Sequence, residues 1–189
     1  MLRQLLIILT ISTIYSNFLQ AKKNYNVSLN IRAPGYSSQY LKLGHYYGTQ
    51  TYLIDSIRVG TNGNVSFSES FHPGIYLIIT PTRQSYEIMI AGDGNLTIHL
   101  PSKFEDPVQI SGNEISKAFN TYLTQVGNLE MNIDSLKKLS DLAENYSEKI
   151  AIQRISKSFG DSIELIVKSY VTDYGGTLLG NYLRSLLPV

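Results

Sequence analysis

Residues 40–79 constrain the fold of this chain more than any other stretch, because apolar and polar residues alternate along it and turn signals interrupt it at short intervals. The turn signals are Gly48, Asn62-Gly63 and His72-Pro73-Gly74. Asn-Gly is a preferred two-residue connection between antiparallel strands, since its backbone twist matches that of the strands it joins. The pattern therefore predicts a meander of antiparallel strands with a hairpin turn at Asn62-Gly63.

The same alternation predicts strands on both sides of this stretch. Residues 25–32 form a first strand, and residues 85–90, 95–100 and 108–110 form three later ones. Residues 75–79 are almost continuously apolar, which is typical of a central strand that is buried on both faces. Within residues 51–59, Leu53, Ile57 and Val59 are expected to share one face. About eight strands at this spacing favour a β-sandwich or a small barrel.

After residue 111, the spacing of the apolar residues changes from that of a strand to that of a helix. Ser111-Gly-Asn-Glu114 fits a capping box, in which Ser111 would cap the first helix. Apolar residues then recur every three or four positions until Gly175-Gly176, and residues 177–187 form a last short amphipathic helix. The pattern leaves open whether the long helical region is one helix or two that break near Gly160. The predicted fold is α+β: an antiparallel β-sandwich or small barrel followed by a helical C-terminal region.

The N-terminal residues 1–21 have the pattern of a secretory signal peptide, with Arg3, an apolar run and a small residue at Ala21. The apolar run is shorter than the roughly 20 residues of a membrane-spanning helix, so no spanning segment is expected after cleavage. We predict a signal peptide at residues 1–21 and a β-sandwich domain at 22–111. Residues 112–189 form a helical arm or the start of a linker to a further domain. The expected location is the periplasm or the outer cell envelope.

The charge balance and the absence of cysteine narrow the function classes. The chain has 16 Lys+Arg and 15 Asp+Glu, and removal of residues 1–21 removes Arg3, which leaves 15 of each. A neutral chain has no electrostatic footprint for nucleic acid. The chain has no Cys, so it supplies no disulfide, no thiolate nucleophile and no sulfur ligand for a metal.

No residue pattern in the chain indicates a catalytic, metal or cofactor site. The three histidines, His45, His72 and His99, lack the spacing of metal ligands, and there is no G-x-S-x-G nucleophile motif. We therefore expect a protein that is not an enzyme and that uses no cofactor. The candidate ligand or partner surface consists of Tyr40, Tyr46, Tyr47 and Tyr52. These rings could stack on a sugar or a peptide, although β-propensity and cross-strand packing are the favoured explanation for them.

Several short motifs together resemble a known family. They are YLIDSIRVGTNGNVSF, PGIYLII, YEIMI, GNLTIHL, VQISGNEISKAFNTYL and the closing GGTLLGNYLRSLLPV. This set is similar to the N-terminal domain of unknown function that precedes the thioredoxin-like module of exported TlpA/ResA-type thiol-disulfide oxidoreductases of Bacteroidota. The matching positions are Tyr52, Asp55, Ser56, Gly63, Phe67, Gly74, Tyr76, Gly112, Asn113, Phe119 and Tyr122.

The resemblance implies an accessory role without redox activity. In that family the activity belongs to a C-x-x-C in the thioredoxin-like module, and this chain has no Cys. The expected partner is a thioredoxin-like module or another envelope protein. The expected interface with such a module is the apolar end of the chain: Leu179, Leu183, Leu186 and Leu187. The expected function is therefore a non-catalytic domain that positions or recognises a partner. The alternative is a stand-alone envelope β-sandwich that binds carbohydrate or peptide through its Tyr-rich strands.

Overall fold

The structure of the chain, a computed structural model, describes residues 24–47, 50–102 and 106–187. The predicted signal peptide at residues 1–21 lies outside the described residues. The strands are β1 (Tyr25–Arg32), β2 (Tyr40–Tyr47), β3 (Gln50–Arg58), β4 (Asn64–Phe71), β5 (Gly74–Ile79), β6 (Ser85–Ile90), β7 (Gly94–His99) and β8 (Gln109–Ser111). The helices are α1 (Glu114–Leu142), α2 (Tyr146–Asp173) and α3 (Leu178–Arg184), and a single 3-10 turn spans Pro34–Tyr36.

The described strands form two four-stranded sheets. Sheet A has the order β4-β1-β7-β8 and sheet B the order β3-β2-β5-β6. The predicted α+β fold is confirmed, and of the two predicted strand arrangements the structure shows the sandwich. One pairing differs from the antiparallel prediction, because β1 and β7 run parallel. The prediction that residues 75–79 form a central strand is also confirmed, since β5 lies between β2 and β6.

The predicted hairpin at Asn62-Gly63 is wrong, because β3 and β4 belong to different sheets. The local turn does form: the Gly63 amide donates to the Gly60 carbonyl at 2.9 Å, and Gly63 has φ +79°. However, β4 pairs along its whole length with β1 rather than with β3. The turn therefore carries the chain across the sandwich, and residues 40–79 do not form a simple meander.

The main core lies between the two sheets. The alternation of apolar and polar residues along each strand determines which side chains belong to it. Inward residues of β1 such as Leu29 and Ile31 are fully buried, as are Ile88 of β6 and Ile98 of β7. Their polar neighbours along each strand face away from this core. Thus period-two patterning alone selects the buried face of most strands.

A β-bulge in β3 changes which residues face the core. Leu43 pairs with Asp55 but Gly44 pairs with Leu53, so Ile54 is an extra residue on β3. Ile54 consequently packs beside the core with Ile57, while Leu53 is 59% exposed. The expectation that Leu53 shares a face with Ile57 and Val59 is therefore wrong, because the bulge reverses the alternation at Ile54.

A second core forms between the outer face of sheet B and the helices. Met89 of β6 is fully buried against Phe119 of α1 and Leu179 and Leu183 of α3. The hydroxyl of Ser116 on α1 donates to the Met89 backbone carbonyl, which fixes the helix on β6. The helices are thus a third layer over sheet B, and this layer explains why β5 and β6 are apolar on both faces.

The first helix begins two residues later than the capping-box prediction. Ser111 is the last residue of β8, and Asn113 is the N-cap of α1, where its side-chain oxygen accepts from the Ser116 amide at 3.0 Å. Gly112 precedes it with φ +103°, which lets the chain turn from the strand into the helix. Because β8 extends to Ser111, the helix cannot begin there, and Asn113 becomes the cap.

The long helical region is broken at residues 143–145 rather than near Gly160. Asn145 caps α2 by accepting a hydrogen bond from the Glu148 amide at 2.8 Å, and α2 runs through Gly160. No helix in the described part of the chain is long and apolar enough to cross a membrane.

Candidate functional site

The structure places three tyrosines of the predicted ligand surface, Tyr40, Tyr46 and Tyr52, apart from one another. Tyr40 begins β2 and lies six residues from Tyr46, roughly 20 Å along the strand at about 3.3 Å per residue. Tyr52 pairs with His45, whose ring contacts both Tyr52 and Tyr76, so Tyr52 belongs to the inner face of sheet B. Tyr46 points to the outer face. They therefore do not form one surface.

Tyr47 ends β2 opposite Gln50, and its side chain lies outside the described part of the structure. Among the four predicted tyrosines, Tyr46 lies in a groove of about 430 Å³ between sheet B and α3. We call this the Tyr46 groove. Its lining residues are Tyr46, Gly74, Ile75, Glu87, Met89, Leu178 and Tyr182.

The floor of the Tyr46 groove is apolar because it continues the second core. Ile75 and Met89 are directly opposite each other on β5 and β6, and both side chains face the helical layer. Leu178, at the start of α3, contributes from the other side. A ligand in this groove would therefore place aliphatic or aromatic carbon against the floor.

A carboxylate and two phenols form the polar part of the groove. The hydroxyl of Tyr46 donates to Glu87 Oε1 at 2.8 Å, across the intervening strand β5. Partial burial, the hydrogen bond to Glu87 and the charge of Glu87 together raise the pKa of Tyr46 to about 12. The protonated Tyr46 phenol donates to Oε1 of Glu87, and Oε2 accepts no hydrogen bond from the part of the chain that the structure describes.

Tyr182 forms the opposite wall. Burial, and then the charge of Glu87, raise the pKa of Tyr182 above its ordinary value. Its ring packs edge-on against Phe119, with ring centroids 6.0 Å apart, so the second core sets its position. Thr177 starts α3 by capping the Gly180 amide at 3.2 Å, which places Leu178 and Tyr182 over sheet B.

Sequence reasoning missed Glu87 and Tyr182 as groove residues. Glu87 is the one charged residue in the strand Ser85–Ile90, whose four apolar or aromatic residues are all buried. A charged residue within an apolar strand is the sequence signal that could have identified Glu87. Tyr182 carried no such signal, because its distance from Tyr46 depends on how α3 folds back on the sheet.

The leucines predicted to contact a further domain are divided by the structure. Leu179 and Leu183 are fully buried in the second core, so that expectation is corrected for them: α3 uses both inside the chain. Leu187 is half-buried beside the same core. Leu186 is 51% exposed, and its role as an interface residue stays a prediction.

A second depression, of about 490 Å³, lies on the outer face of sheet A. It is lined mainly by short polar side chains of β1, β4 and β7, including Asn26, Ser28, Ser68 and Asn95. Alternation places these residues on the solvated face opposite the core, so their presence needs no ligand. The Tyr46 groove is the better candidate because it combines apolar surface with a carboxylate.

The three histidines lie apart. The ring of His45 contacts the rings of Tyr52 and Tyr76 on the inner face of sheet B. The backbone carbonyl of His72 accepts a hydrogen bond from Tyr76, and His99 is the last residue of β7. Within residues 24–47, 50–102 and 106–187, no group of three or more His, Asp or Glu side chains could hold a metal ion.

These features define a β-sandwich with a helical layer on one sheet and an open groove between the two. The family model of the domain of unknown function DUF4369 matches residues 25–119, which is just over half of the chain. The chain belongs to this family. The matched residues include both sheets and the start of α1, so they contain the strands that form the groove floor.

Other comparisons add little. No curated protein matches the chain. Among solved structures, a 9R-lipoxygenase from Cyanothece PCC8801 is similar over 86% of this chain and 28% of that one, with 10% identity and a TM-score of 0.28. The chain thus spans less than a third of that structure, and a similarity at this level carries no argument about fold or function.

Proposed function

We propose that this chain is a non-catalytic accessory domain of an exported thioredoxin-like thiol-disulfide oxidoreductase, and that it recognises the protein on which the redox module acts. The observation that carries the proposal is the Tyr46 groove, which is shaped for holding a ligand: an apolar floor with a fixed carboxylate at its side. Since the chain has no Cys, the thiols must come from another module.

Two sequence features support the exported and accessory parts of the proposal. Residues 1–21 have the pattern of a secretory signal peptide, which agrees with action in the periplasm or outer envelope. The strand and helix motifs resemble the domain that precedes the thioredoxin-like module in TlpA/ResA-type proteins. The family match over residues 25–119 establishes the family and leaves the redox association as part of this proposal.

Kinetics of a tethered module test the proposal. A thioredoxin-like module with an intact C-x-x-C is joined through a flexible linker to the C-terminus of the chain, and reduction of a disulfide-bonded protein is compared with reduction of a small disulfide. We expect a lower KM for the protein substrate and unchanged kinetics for the small disulfide, because the chain adds binding and no chemistry. Equal KM values for the tethered and free modules would contradict the proposal.

A second candidate is a stand-alone envelope protein that binds carbohydrate or peptide through its tyrosines. The exposure of Tyr40, Tyr46 and Tyr52 favours it, because exposed rings can stack on a sugar. Binding to a glycan array that is lost in Tyr46→Ala, with no KM effect in the tethered assay, would select this candidate over the first.

A further inference from the structure

The carboxylate of Glu87 carries a negative charge that the described part of the chain does not balance. The ion pairs in that part are Lys157–Asp161 and Lys168–Glu164, and both lie on α2. Glu87 instead accepts the hydrogen bond from Tyr46 while half-buried beside Ile75 and Met89. A partly desolvated carboxylate beside apolar surface is complementary to a cation that has an apolar stem.

The walls of the groove favour the same ligand. Tyr46 and Tyr182 line the same groove as Glu87, and a cation over a phenol ring is stabilised by the quadrupole of the ring. The hydroxyl of Tyr182 has no hydrogen-bond partner among residues 24–47, 50–102 and 106–187, so it can accept a bond from a ligand. An ammonium group has three donors and could use both Glu87 and Tyr182.

The hydrogen bond from Tyr46 discriminates between the two basic side chains. An arginine fork binds a carboxylate best through two parallel hydrogen bonds, one to each oxygen. Tyr46 already donates to Oε1 of Glu87, so an arginine fork would have to share that oxygen with the phenol, whereas the other oxygen can accept without competition from Tyr46. A lysine ammonium acts as a point charge and requires only one.

We propose that the Tyr46 groove binds a lysine side chain of a partner polypeptide, with the ammonium against Glu87 and the methylenes over Ile75, Met89 and Leu178. This inference rests on the proposed function, because it names the chemistry by which the partner is recognised. The occupant is a polypeptide rather than a free amine, since the groove volume of about 430 Å³ exceeds that of one side chain and leaves room for the backbone that carries it.

The test uses tripeptides of the form Ala-X-Ala with blocked ends, in which X is lysine, arginine or norleucine. Binding is followed by amide chemical shifts of the isotope-labelled chain. We expect the lysine peptide to bind about tenfold more tightly than the norleucine peptide, which has the same stem length but no charge, and more tightly than the arginine peptide. The shifts should map to the residues that line the groove.

Two matched variants test whether Glu87 supplies the negative charge that binds the lysine peptide. Glu87→Gln should weaken binding of the lysine peptide about tenfold, whereas Glu69→Gln should leave it unchanged, because Glu69 lies on β4 in the other sheet. Circular dichroism and unfolding curves confirm that both variants fold. Equal binding of lysine and norleucine peptides, tighter binding of arginine, or an unaffected Glu87→Gln variant would each overturn the inference.

The result of the peptide-binding experiment can be distinguished from the result of the kinetic assay with the tethered module. If the lysine peptide fails but the tethered module still shows a lower KM, the ligand chemistry is wrong and the accessory function stands. If the lysine peptide binds as expected while KM is unchanged, the groove chemistry stands and the link to a redox module is wrong.

Discussion

Tyr46 on β2 and Glu87 on β6 are 41 residues apart in the sequence and on either side of β5, yet the phenol of one donates to the carboxylate of the other at 2.8 Å. Because the Tyr46 side chain reaches across β5, the hydrogen bond ties the two strands together on the face that the helices cover. It also defines the polar side of the Tyr46 groove.

This pair predicts a pH dependence of stability. The pKa of Tyr46 is raised from its ordinary value of 10.0 to about 12, so folding favours the neutral phenol. The stabilisation is fully present below pH 10 and is lost as the pH rises through 12. Denaturant unfolding at pH 9 and pH 11.5 should therefore show a smaller loss of unfolding free energy in Tyr46→Phe than in the natural chain.

The comparison with Tyr46→Phe is needed because the pKa values of Tyr76, Tyr122, Tyr170 and Tyr182 are also raised, mainly by burial. These residues contribute equally to both proteins. An identical pH dependence in the natural chain and in Tyr46→Phe would show that the Tyr46–Glu87 bond does not exist in solution.

The position of the α1 cap gives a second prediction. Asn113→Ala should lower the unfolding free energy by about 1 kcal/mol, because it removes the acceptor of the Ser116 amide. Ser111→Ala is the control: its side chain is exposed at the end of β8, and the change should be within about 0.5 kcal/mol. The opposite ranking, measured by urea unfolding, would restore Ser111 as the cap.

The continuity of α2 gives a third prediction. Gly160→Ala should raise the unfolding free energy by about 0.5–1 kcal/mol, because a Cβ there meets no atom within 4 Å and alanine favours the helix. Gly112→Ala is the contrasting case. A Cβ on Gly112 would overlap the Asn95 carbonyl, and φ is +103°, so this variant should be destabilised. A Gly160→Ala variant that loses stability would indicate a break in α2.

The burial of the α3 leucines gives a fourth prediction. Leu183→Ala should lower the unfolding free energy by about 2–5 kcal/mol, because Leu183 is fully buried in the second core. Leu186→Ala, just after the end of α3 and half exposed, should cost less than about 1 kcal/mol. Similar small losses in both variants would mean that α3 does not pack on sheet B in solution.

The strands were predictable because their signal is local. Alternation identifies Leu29 and Ile31 as core residues without any knowledge of their partners, and the run at residues 75–79 predicts burial on both faces. The sheet in which a strand lies depends on pairing with distant strands, so Asn62-Gly63 could form its turn and still connect two sheets. The bulge at Ile54 is invisible for the same reason, because a bulge is defined by its partner strand.

The candidate site was predictable only in part. The sequence predicts Tyr46 as one of four tyrosines of a candidate ligand surface, but local patterning does not show that it shares a groove with Glu87 and Tyr182. Those three residues lie on β2, β6 and α3, and only the packing of the helical layer on sheet B brings them together. The signal from a charged residue in an apolar strand marks Glu87 but not its neighbours.

The central claim is that α3 closes over Met89 to form the Tyr46 groove, and methionine methyl NMR tests it most directly. Beyond Met1 the chain contains Met89, which is buried in the second core, and Met131, which is 54% exposed on α1. With methyl-labelled methionine, we expect nuclear Overhauser contacts between the Met89 methyl and the ring protons of Tyr182 and Phe119, with none from Met131. A Met89 methyl without aromatic contacts and with a shift like that of Met131 would contradict it.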